Sequence, residues 1–156
     1  MPKFDARDNQ LILDLLCLLP LKLFLRPRPE GEHQTRLALI SICSAAETYV
    51  NDELLRPLVN GLKQSLTGAL SDPEFAALAD DPAVLRSLLE AVDDLLQAKI
   101  TPARQKAVCN FIYRYAYKLA GMAGKEFANI GRNVSAEDAE TLLLIKEVLR
   151  IQEQNP

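Results

Sequence analysis

Tryptophan is absent, and histidine occurs once, as His33 in the stretch "RPRPEGEH" (26–33). With a single imidazole in what reads as a loop, a Ser-His-Asp or Cys-His machine is poorly supplied, so catalysis by that route is disfavoured. Cysteines are few as well. Cys17, Cys43 and Cys109 lie far apart among apolar residues, with no CxxC or Cys/His spacing, which argues against a zinc site. They read as buried thiols in a reducing, cytoplasmic compartment. Positive charge is not in excess: 18 Lys and Arg against 21 Asp and Glu give a formal net charge of -3. That is no whole-protein electrostatic grip on nucleic acid, although a local basic face stays open. Glycine-rich phosphate loops, HExxH and EF-hand spacings are missing too.

What the chain does contain is enough for one domain. Its 156 residues are 49% apolar and 25% charged, globular usage that supports a proper core and excludes wholesale disorder. The longest apolar run, "LILDLLCLLPLKLFL" (11–25), is interrupted only by Asp14, Pro20 and Lys22. As a helix it spans about 22 Å, short of the roughly 30 Å of a bilayer's hydrocarbon core. Acidic Asp5 and Asp8 precede it, where a signal peptide wants basic residues. The run predicts a buried core helix kinked at Pro20, with docking on a membrane surface or a partner as the alternative.

Helix punctuation marks out the rest. Apolar residues at helical spacing run through "QTRLALISICSAAETY" (34–49) and "NDELLRPLVNGLKQSLTGAL" (51–70). The second carries one stripe of Leu55, Leu58, Val59, Leu62, Leu66 and Leu70. "SDPE" (71–74) has the form of a capping box, Ser71 capping and Glu74 reaching back. "DDP" (80–82) and "TP" (101–102) put proline at a first helical position, opening helices over about 82–99 and 102–122. "SAED" (135–138) opens a last helix to about residue 152. The fold class is therefore all-α, a compact single-domain bundle of six or seven helices over residues 1–156. The helix from Pro102, with Val108, Phe111, Ile112, Tyr115, Leu119 and Met122 in one stripe and apolar flanks, is the expected centre.

Two charged segments could carry binding. "YRYAYK" (113–118) interleaves aromatic and basic residues, the composition of a single-strand or RNA platform. Arg104, Lys106, Arg114, Lys118 and Lys125 would supply its charge, although a buried aromatic helix with a solvated basic stripe explains the same residues. No strong nucleic-acid signal results. "EAVDDLLQ" (90–97) gathers Glu90, Asp93 and Asp94 at i, i+3 and i+4, which water-facing carboxylates account for.

A third pattern repeats. "AAETYVNDE" (45–53) and "GRNVSAEDAE" (131–140) each place a valine, a short polar pair and then a carboxylate at a helix mouth. Aligning Val50 with Val134 sets V-N-D-E against V-S-A-E, with Leu58 and Leu142 each five residues past the glutamate. Here the chain resembles the TerB-like (tellurite-resistance) helical family. That family's two halves each carry an Ala-Asp-Gly turn, a valine and a Ser-x-Glu-Glu helix start. Glu47 stands at the family's aspartate, Val50 at its valine and Glu53 at its first glutamate; Val134, Ser135, Glu137 and Asp138 match the second half. Thr48 replaces the glycine, Leu54 the second glutamate, and the second turn has no aspartate. The resemblance implies two helix–loop–helix halves, a role in stress response and acidic turns that bind a divalent metal such as Ca²⁺. Glu47, Asp52, Glu53, Glu137 and Asp138 would then be the ligands. Position alone offers another reading, in which Asn51 and Ser135 are N-caps and the acids are first-turn charges meeting the helix dipole. Pro57 presses on the first copy. A helix that began only at Arg56–Pro57 would leave "VNDELL" outside it.

The functional expectation is a non-enzymatic cytoplasmic binding or scaffold domain of TerB-like type, holding a divalent metal and meeting another protein or its own copy. The alternative is a nucleic-acid-associated helical subunit using the basic face of the helix from Pro102.

Overall fold

The computed structural model describes residues 4–25, 31–50, 53–126 and 136–151, with backbone alone for 122–126. These residues form seven helices and no strand: α1 Ala6–Leu23, α2 Glu32–Thr48, α3 Arg56–Ser71, α4 Pro73–Ala79, α5 Pro82–Lys99, α6 Pro102–Glu126 and α7 Ala136–Leu149. The expected all-α bundle is what the chain folds into. His33, expected in a loop, lies in the first turn of α2 and is exposed.

The centre of the bundle is α1, not α6. It packs on α3, α4, α5 and α6, and Ile12, Leu15, Leu16, Leu18 and Leu19 are wholly buried. From Leu15 to Leu25 only Lys22 is polar, so the second half of α1 has no face to show to water, while Arg7 and Gln10 are exposed in its first half. Lys22 itself is half-buried, and its ammonium reaches the Ala79 carbonyl at 3.5 Å. That carbonyl closes α4, where the helix dipole favours a cation. α6 is equally apolar on its inner side but keeps Lys106, Arg114 and Tyr117 in solvent. Periodicity alone did not separate the two.

Pro20 sits inside α1 and is buried. Lacking an N–H, it leaves the Leu16 carbonyl one turn back without its helical donor. Tyr115 of α6 supplies one: from a fully buried position its hydroxyl donates to the Leu16 oxygen at 2.9 Å. At the other end, Asp5 caps α1 in a reciprocal box with Asp8, the two backbone N–H groups donating at 2.9 and 3.0 Å. Lys99, closing α5, pairs with Asp8 at 3.1 Å and Asp5 at 3.9 Å, joining the two helix ends.

Two helix starts differ from the sequence expectation, and proline explains both. α3 begins at Arg56 with Pro57 in its first turn, because deeper in a helix its ring would clash with the carbonyl four residues back. Its anchor is Leu55, fully buried. α4 is capped by Asp72, not Ser71: the Asp72 carboxylate accepts from the Glu74 N–H at 2.9 Å. Pro73 disfavours a helical residue before it, so Asp72 is extended and becomes the cap. Ser71 closes α3, its hydroxyl donating to the Thr67 carbonyl at 3.0 Å. The caps at Asp81 and Thr101 lie where the sequence put them. α7 stops at Leu149, short of 152, and Arg150 takes a positive φ of 53° beyond it.

Candidate functional site

The acidic residues come first. Glu47 is exposed in the last turn of α2, and Glu53 is exposed in the turn before α3. Neither is a first-turn charge, and α3 has no acid in its first turn and no side-chain cap. The helix mouth expected at Glu53 is therefore absent; it lies at Arg56 instead. Glu137 and Asp138 do sit in the first turn of α7, as expected. Asp52 lies outside the described residues, as do Asn51, Val134 and Ser135.

Two lysine–tyrosine contacts tie α6 to its neighbours. The Lys118 ammonium lies 5.8 Å from the Tyr49 ring centre, and the Lys146 ammonium 5.1 Å from that of Tyr113. Among the described residues, no three His, Cys, Asp or Glu side chains gather as a cation site.

The three tyrosines of "YRYAYK" meet three fates. Tyr115 is buried and bonded to Leu16. Tyr113 is half-buried with the Lys146 ammonium over its ring. Tyr117 is 51% exposed, its ring centre 6.2 Å from that of Tyr113 and tilted by 42°. At about 100° per residue, Lys106, Tyr113, Arg114 and Tyr117 fall within a sector of about 100° on α6, with Lys118 at its margin towards α2. Lys106 and Arg114 are exposed; Arg104 is half-buried and lies further round the helix. The Lys125 side chain lies outside the described residues. α7 adds Leu143, 55% exposed, one turn before Lys146. A sequence signal marks this surface. Residues 95–125 contain no Asp or Glu, although the chain as a whole is acidic.

Elsewhere, Glu90, Asp93, Asp94 and Glu147 line an open cleft of about 300 Å³ between α5 and α7, with Arg86 and Val148. Asp93 is engaged by Arg150 at 2.9 Å and by Gln97 at 2.6 Å. All three cysteines carry free thiols. Burial pushes Cys17 up to about 12 and Cys109 up to about 11, and raises half-buried Cys43 as well, so all three are protonated at neutral pH. They are poor nucleophiles. No helix among the described residues is long and apolar enough to cross a membrane.

Against this geometry, comparison with family models, curated proteins and solved structures yields no match.

Proposed function

We propose that the chain is a non-enzymatic helical binding module that engages its partner through the outward strip of α6 between α2 and α7. One observation carries this reading. On a chain of net charge -3, that strip joins exposed Tyr117 to Lys106 and Arg114, within an acid-free stretch of sequence. Aromatic and arginine side chains held by a rigid helix are what binding surfaces use most. The test is a photo-crosslinking residue placed at position 117 in cells, with position 78 as control. Leu78 on α4 is 44% exposed but stands outside the strip. A discrete adduct at 117 that is missing at 78 supports the assignment; equal labelling at both removes it.

A second reading, a TerB-like domain with a divalent cation, draws on Glu137 and Asp138 in the first turn of α7. Its test is thermal unfolding with millimolar Ca²⁺, Mg²⁺, Mn²⁺ or Zn²⁺, for wild type and a Glu53→Gln, Glu137→Gln variant. A cation at about 100-fold its Kd stabilises by about 2.7 kcal/mol, an increment the variant would lose. A midpoint that ignores every cation removes the reading.

A further inference from the structure

Resting on the α6 strip as the binding surface, we infer that its partner is single-stranded nucleic acid, held by phosphate contacts and by base stacking on Tyr117. The strip pairs two kinds of group that this ligand needs together. Lys106, Arg114 and Lys118 stand along about 18 Å of α6, the length of about three to five nucleotides. Among them Tyr117 holds a half-exposed ring, tilted against Tyr113 so that the two do not shield each other by parallel stacking. Tyr113 already has a lysine ammonium on its ring; the more exposed ring is the one a base can cover.

Other occupants fit less well. A second copy docked by a two-fold axis would set this cationic sector against the same sector, with no acid between 95 and 125 to meet it. Duplex nucleic acid presents two rows of phosphate. The cationic sector is one helix wide, on a chain of net charge -3. A sector that narrow matches one phosphate row, not two. An acidic peptide matches the charge but leaves the aromatic component without a specific role.

Fluorescence anisotropy with a labelled short oligo-dT and oligo-U tests the assignment on the full chain. Affinity should fall about 20- to 50-fold between about 50 and about 200 mM salt, as about three or four phosphate contacts imply for a single strand. Tyr117→Ala should weaken binding about fivefold or more without altering the salt dependence. Arg114→Gln should flatten that dependence, while Arg86→Gln, on the far cleft, should change neither. Circular dichroism of each variant verifies that the helices persist. No binding at about 50 mM salt overturns the inference, as does equal affinity for duplex or tighter binding of a poly-glutamate peptide. A poly-glutamate result would keep the α6 strip as a binding surface and remove only its nucleic-acid partner, whereas failed crosslinking at position 117 would remove the surface itself.

Discussion

Leu16, Pro20 and Tyr115 form a unit in which one residue's defect is another's function. The missing proline N–H frees a carbonyl at the centre of the bundle, and the tyrosine hydroxyl satisfies it at 2.9 Å. Tyr115→Phe keeps the ring and strands the carbonyl, so it should cost about 1–3 kcal/mol in urea unfolding. In a Pro20→Ala background a backbone N–H returns to Leu16, and the same substitution should then cost less than half as much; equal costs would separate the two residues. The sequence shows both the proline and the aromatic run, but nothing in spacing ties residues 99 positions apart. The same limit hid the fates of the three tyrosines, which differ by rotation about one helix axis and by what α1, α2 and α7 place beside each. Cys17 and Cys109 are buried as their apolar neighbours suggested, whereas Cys43 is only half-buried. Half-buried Cys43 should react first with an aromatic disulfide reagent, and Cys17 and Cys109 only at the rate of global opening; fast labelling of either would contradict their burial.

At the scale of the helix, punctuation is legible where proline and cap agree. Asp81–Pro82 and Thr101–Pro102 place α5 and α6 directly. Where a cap-like serine competes with a following proline, as at Ser71, backbone geometry at the pre-proline residue decides, and the aspartate wins. Pro57 decides the start of α3 in the same way, and so moves Glu53 out of any helix mouth. Asp5 and Asp8 were legible as charges but not as a clasp, because Lys99 arrives from another helix. The Asp5 backbone N–H, reinforced by Lys99, holds the Asp8 carboxyl below its ordinary value. A carboxyl depressed on folding contributes stability that is present above its unfolded pKa, about 3.9, and is lost as pH falls through the lower folded value. Melting midpoints should therefore decline below about pH 4. Asp8→Asn should lower the midpoint at neutral pH and shallow the acid decline; an unchanged acid limb would show that the clasp contributes nothing.

Taken whole, the molecule is arranged around its first helix. Composition and periodicity made an all-helical single bundle legible and recovered its apolar stripes, yet chose α6 as the hub. Both helices are apolar on nearly every side in sequence; only the packing of α3, α4, α5 and α6 on α1 distinguishes them. Deleting residues 6–25 should abolish cooperative thermal unfolding and most of the helical circular dichroism, while a fragment that still melted cooperatively would move the hub elsewhere. Chain order gives this arrangement a consequence in time. On the ribosome, α1 emerges ahead of α2 to α7, but the tyrosine that completes its hydrogen bonding lies 99 residues after Leu16. At about 5–20 residues per second, the Leu16 carbonyl waits about 5–20 s for its partner. Over that interval the leucine-rich helix gains its walls only one by one, as α3, α4 and α5 follow it. Biogenesis of this protein should thus depend on a holding chaperone early in translation, and chains stopped before α6 should be the ones that aggregate.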